Sequence, residues 1–278
     1  MRSETRAAWL RLLYPALEVF VPENPPPNEA SDFEHREFVK SWLAARGLTV
    51  DAVFTSETYG EGFAAHLGVR HRLVDLGRSR VPVSGTQIRQ DVHASREFLE
   101  PLVYAHFVRK IVFLGAESTG KSTLTERMAL DFGTRFVPEL GREVWVQKNG
   151  VLELSDYVDI ARCHRELEDA ALLEANRFLF VDTNAITTMF LGYAYEGDGL
   201  PELTALARDA QTRYHHVFLC DTDIPFEQDG WRDNDFWRCR AQGLIRYDLA
   251  VRAVPYTLVS GDLEARVATV KSVLANAF

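Results

Sequence analysis

The strongest constraint in this 278-residue chain is the stretch GAESTGKS at residues 115–122. It matches G-x-x-x-x-G-K-[ST], a pattern that carries weight only between a strand and a helix. Both flanks predict that setting. Residues 111–114 (IVFL) read as a buried strand, and residues 121–132 read as a helix that Gly133 is placed to cap. Gly115 and Gly120 free the backbone to curl until successive N–H groups face one point. The helix beginning at Lys121 adds the positive end of its dipole. The loop therefore predicts a polyphosphate cradle for ATP, with Glu117, Ser118, Thr119 and Thr123 as further contact positions. Lys121 is placed to reach the β- and γ-phosphates, and the Ser122 hydroxyl to ligate Mg²⁺.

Around that loop the chain alternates short apolar runs with helical patterns. Residues 22–32 (PENPPPNEASD) read as a loop, 33–46 and 59–67 as helices, 51–55 and 71–75 as strands. A second series begins at Lys110, with strands at 111–114, 135–137, 178–181, 217–220 and 256–259. Its clearest helix spans 155–175, with Ser155 as N-cap and Tyr157, Ile160, Ala161, His164, Leu167 and Ala171 on one face. Five apolar strands separated by helices predict an α/β fold whose parallel five-stranded sheet is covered on both faces. The domain border is expected near residues 105–109, giving domains 1–108 and 109–278.

Other candidates sit at strand ends, where open α/β sheets bind ligands. Asp182 follows strand 178–181 and is placed to orient Mg²⁺ through water or to accept a hydroxyl proton, or else to serve as a helix N-cap or turn residue. Glu139, Arg142 and Glu143 follow the second strand of this series as contacts for a polar acceptor such as a sugar, or else Arg142 and Glu143 are solvated helix charges. Residues 223–233 carry Pro, Gly and charge and read as a mobile loop. Arg232 there is a candidate to meet the transferring phosphoryl group. Phe226 and Trp231 are either stacking surfaces for an acceptor ring or core residues. Ser84, Gly85, Thr86 and Arg89 open another helix pattern, which suits a phosphate or a capping turn.

The formal charge of −9 and pI of 5.4 argue against a general basic grip on nucleic acid. Three cysteines without a C-x-x-C pair suit reduced thiols, and no apolar run reaches membrane-spanning length. A cytoplasmic location is the expectation.

The motifs together resemble the NadR family of NAD-synthesis enzymes. LGAESTGKST (114–123), VPE (137–139) with Arg142 and Glu143, VDT (181–183) and QDGWR (228–232) are similar to its nicotinamide riboside kinase half. FTSETYG (54–60), Val74 and Asp75 with Arg78, and VSGTQIR (83–89) resemble later motifs of its nicotinamide mononucleotide (NMN) adenylyltransferase half. The resemblance spans nearly the whole chain. It implies a P-loop kinase domain preceded by a truncated Rossmann-like nucleotidyltransferase domain. It implies nicotinamide riboside and ATP as substrates with Mg²⁺, Lys121, Asp182 and Arg232 as catalytic residues, and Glu139, Arg142, Asp182, Phe226 and Trp231 at the acceptor. NMN or NAD would bind the first domain.

One departure stands out. The family's H-x-G-H phosphate motif does not occur in this sequence. Either the reading frame starts upstream or the first domain is degenerate, and adenylation of NMN is then not expected of this chain. Three readings stay open: a nucleoside kinase, a bifunctional enzyme that also adenylates NMN, and a nucleotide-binding sensor without turnover.

Overall fold

The computed structural model describes residues 2–228 and 233–277. The chain forms two compact units, Met1–Glu100 and Pro101–Phe278.

The first unit contains α1 (Ser3–Leu13), α2 (Asp32–Ala45), β1 (Ala52–Thr55), α3 (Gly60–Leu67), β2 (Arg70–Leu73) and α4 (Gly85–Gln90). β1 and β2 pair in parallel from Ala52 opposite Arg70 to Thr55 opposite Leu73. Ser31 starts α2 through a reciprocal capping box with Glu34, which satisfies two otherwise orphaned donors. β2 stops short of Asp75, whose carboxylate instead accepts from the N–H groups of Val81, Arg80 and Ser79. Those bonds hold its carboxyl down at about 2 and shape the turn before α4.

The second unit contains α5 (Pro101–Tyr104), β3 (Arg109–Leu114), α6 (Lys121–Phe132), β4 (Phe136–Val137), α7 (Gly141–Gln147), α8 (Leu154–Leu172), β5 (Phe178–Asp182), α9 (Ala185–Glu196), α10 (Pro201–Arg213), β6 (His216–Cys220), α11 (Asp235–Val251), β7 (Thr257–Val259) and α12 (Leu263–Ala277). The sheet order is β4-β5-β3-β6-β7, every pairing parallel. This is the five-stranded α/β sheet that the apolar runs predict. Phe113 lies at its centre, 6.1 Å from the Phe180 ring and 5.5 Å from Phe218. Leu124 and Met128 of α6, with Val267, Val270 and Leu274 of α12, close over Phe178 and Phe180 to complete that core. Tyr104 is fully buried, donating to Asn176 at 3.2 Å and accepting from the Arg177 N–H at 3.1 Å. Those bonds tie residues 101–107 to the second unit, so the units part earlier along the chain than residue 108.

α8 departs from its expected pattern. Its capping residue is Glu153, paired with Asp156, and not Ser155. Its inner face carries Glu168 at 1 % exposure, while Leu167 lies 42 % exposed. The carboxylate goes inside because three partners wait there. Lys110 and Arg213 donate to it at 3.1 and 2.8 Å, and the Tyr214 hydroxyl at 2.5 Å.

Candidate active site

The sheet delivers its catalytic edge where β3 ends. Gly115 has φ +146°, and a Cβ there would stand 2.8 Å from Thr119 Oγ1 and 2.9 Å from the Cys220 carbonyl. Gly120 has φ +76° and leads directly into α6. Only glycine meets both demands, so the loop curls as its spacing predicts. The Lys121 ammonium donates to the Ala116 carbonyl at 2.9 Å, and Thr119 Oγ1 donates to the same oxygen at 2.7 Å.

Three buried polar side chains from later helices hold the loop from behind. Gln242 accepts from the Ala116 N–H and donates to the Cys220 carbonyl, each at 2.9 Å. Arg238 donates to the carbonyls of Ser118 and Ile224 at 3.2 and 2.9 Å. Arg266 donates to the carbonyls of Thr119, Gly261 and Asp221, and to the Asp223 carboxylate. These bonds fix the loop's backbone from the side opposite the cavity that residues 115–123 line. Sequence reading missed all three, since nothing in their local pattern marks them.

Asp182 lies across the loop at the end of β5 and is 2 % exposed. Burial pushes its carboxyl above the ordinary range; Lys121 opposes this, Glu139 adds to it, and a hydrogen bond from Ser122 pulls it back. Its neighbour Thr183 has φ +66°, a strained geometry for a β-branched residue that costs about 1–3 kcal/mol. Asn184 then caps α9, accepting from the Ile186 and Thr187 N–H groups. Among the described residues, Asp182 Oδ1, Thr183 Oγ1, Asn184 Nδ2 and Thr187 Oγ1 are buried without a hydrogen-bond partner. Buried polar atoms are rarely left so, and the three on Asp182, Thr183 and Thr187, which also line a cavity, mark a place for polar ligand atoms.

A cavity of about 830 Å³ joins these parts. All of residues 115–123 line it, with Glu139, Arg142 and Asp182, so the loop and these three expected positions share one space. Trp145, Tyr157, Tyr195 and Trp237 also line it and were not anticipated as site residues. Tyr195 donates to Asp233 at 2.7 Å and accepts from Trp237 Nε1 at 3.1 Å. Phe226 is not among the lining residues; its ring lies 5.4 Å from the Arg238 guanidinium. Trp231 and Arg232 lie outside the described residues. In the first unit, Ser84 makes a capping box with Gln87, and Arg89 donates to Thr86 Oγ1 at 3.2 Å. No helix among the described residues is long and apolar enough to cross a membrane.

Comparison with known proteins follows the same outline. Residues 110–266 match a family model described as an AAA domain. The chain is 35 % identical over 199 residues to the "Trifunctional NAD biosynthesis/regulator protein NadR" of Escherichia coli K12, covering 70 % of this chain and 48 % of that protein. It is 34 % identical over 199 residues to the protein of the same name from Salmonella typhimurium LT2, with the same coverage. The chain thus spans about half the length of the curated relatives it matches. A crystal structure of a NadR protein in complex with NR superposes with a TM-score of 0.70 at 21 % identity, over 98 % of this chain and 81 % of that one. Another NadR structure, in complex with NAD and AMP-PNP, gives 0.67 at 18 %, over 99 % and 82 %. A sheet with a phosphate-cradling loop, matched over more than half of its length, places this chain in the AAA domain family, as a homologue of the NadR proteins.

Proposed function

We propose that the second unit transfers the γ-phosphoryl group of ATP to the 5′-hydroxyl of nicotinamide riboside, giving NMN. The observation that carries this reading is Asp182 Oδ1, buried and partnerless at the cavity wall across from Lys121 and Ser122. A carboxyl held above its usual range is a better proton acceptor near neutrality. In the proposed step the acceptor oxygen bonds to the γ-phosphorus while the bond to the β-bridging oxygen breaks. The acceptor proton passes to Asp182, and ADP leaves.

The loop's backbone and Lys121 hold the phosphates and stabilise charge as the bond breaks. Ser122 supplies a hard oxygen suited to Mg²⁺, and Asp182 would orient the ion through one of the waters that it keeps as ligands. When bound, that ion would supply further neutralisation of the transferring group. Glu139 and Arg142 are assigned to the acceptor's polar groups.

The acceptor assignment rests on charge. Nicotinamide riboside carries a pyridinium cation, whereas adenosine, uridine and thymidine are neutral. Glu139, Glu196, Trp145 and Tyr157 around the cavity suit a flat cation through carboxylates and ring faces. The relatives' printed role in NAD biosynthesis and the NR bound in a NadR structure support the same choice. An acceptor panel with ATP·Mg²⁺ tests it: nicotinamide riboside should be consumed with the highest kcat/KM, and a preference for a neutral nucleoside would overturn the assignment.

A further inference from the structure

The Asp182–Thr183 peptide is gripped from both sides. Its N–H, on Thr183, donates to the Phe113 carbonyl of β3 at 3.0 Å. Its carbonyl, on Asp182, faces Nε2 of His164 on α8 at 3.2 Å. His164 is 4 % exposed and also lines the cavity. Its other nitrogen, Nδ1, stands 3.5 Å from Glu168 Oε1. Glu168 is itself fixed by Lys110, Arg213 and Tyr214. The imidazole thus lies between a rigid carboxylate and the backbone, which it meets at the point where the strand turns.

That point needs a restraint. Thr183 sits in the left-handed region, which a β-branched residue leaves readily when nothing holds it. Relaxation of the Thr183 backbone out of that region would shift the end of β5 and carry the Asp182 carboxylate away from Ser122 and Lys121. We propose that His164 is a positioning residue for phosphoryl transfer, its Nε2–H holding the Asp182 carbonyl so that the strained peptide keeps the carboxylate aimed into the cavity. The inference rests on the kinase reading above, in which Asp182 accepts the acceptor's proton.

Two replacements of similar size separate this role from simple packing. The amide nitrogen of Gln reaches the place of Nε2, whereas that of Asn reaches only the place of Nδ1. His164→Asn should lower kcat for nicotinamide riboside by about 100-fold, the scale of a misplacement of about 1 Å at a reacting group. KM for ATP and the affinity for ADP measured by calorimetry should stay within about twofold of the parent. His164→Gln should recover most of the lost turnover, although both variants should melt within a few degrees of each other. In an Asp182→Asn background, His164→Asn should cost little more, because its effect runs through that carboxylate.

Equal loss in the Gln and Asn variants, or additive loss in the Asp182→Asn background, would overturn the positioning role and leave the kinase reading standing. Absence of turnover in the parent enzyme across the acceptor panel would overturn both.

Discussion

Lys121 Nζ donates to the main-chain carbonyl of Ala116, five residues earlier in the same loop, at 2.9 Å. The ammonium is folded onto the loop that must present it to phosphate, and a phosphate oxygen is the stronger acceptor. Replacing Lys121 with Ala removes the charge that stabilises the transition state, while the loop keeps its glycines and rear supports. Turnover should fall by about 10²–10³-fold with little change in melting temperature. Full activity in Lys121→Ala would place the chemistry elsewhere.

Asp182 sets activity against stability. Its folded carboxyl is raised above its ordinary value by burial, so the ionised form is disfavoured by folding at neutral pH and that penalty lessens as pH falls. Asp182→Asn should therefore abolish most turnover, by about 10²–10⁴-fold, yet melt no lower than the parent at pH 7.5. Scanning calorimetry alongside a coupled assay reads both outcomes. A large loss of stability would show that the carboxylate holds the fold and not the chemistry.

Glu168 behaves oppositely in acid. Although burial alone would raise its carboxyl, bonds from His164, Lys110, Tyr214 and Arg213 hold it down at about 2, against an ordinary 4.5. A depressed folded value contributes stability above pH 4.5 that is lost as pH falls towards 2, on the order of 3 kcal/mol. Lys110 is lowered overall, by burial first and against the pull of Glu168, so the two partners do not report the same gain. The carboxylate governs this window because its own folded and ordinary values bound it. Glu168→Gln should lose about 3–5 kcal/mol at pH 7 by stranding the buried Lys110 cation, and should lack the parent's acid limb in urea titrations at pH 3 to 5.

Arg266 is 2 % exposed and reaches three carbonyls and one carboxylate around the P-loop. Arg266→Met keeps the bulk but leaves those acceptors unmet. Stability should drop by roughly 2–5 kcal/mol, and ADP affinity should weaken as the Thr119 carbonyl is released. Unchanged ADP binding in a folded Arg266→Met protein would remove Arg266 from the loop's support.

Gly115→Ala would place a methyl 2.8 Å from Thr119 Oγ1 and 2.9 Å from the Cys220 carbonyl at φ +146°. Backbone cannot yield as a side-chain tip can. The variant should lose nucleotide binding outright in calorimetry, even where circular dichroism shows the helices retained.

The P-loop, the five-stranded parallel sheet and the strand-end position of Asp182 were legible in the amino-acid sequence alone. They depend on short-range causes: glycine's freedom at positive φ, a helix dipole over contiguous residues, and apolar runs long enough for one strand each. Partners far apart in the chain were not. Apolar periodicity favoured Leu167 over Glu168 for the inner face of α8, because a pattern of residue types cannot show that Lys110, Arg213 and Tyr214 converge on that spot. Arg266 lies 147 residues from the Thr119 carbonyl it holds, and His164 lies 18 from that of Asp182. Only the tertiary structure decided these pairs, since a buried polar group's place is set by who meets it after the sheet closes and not by its own neighbours in the chain.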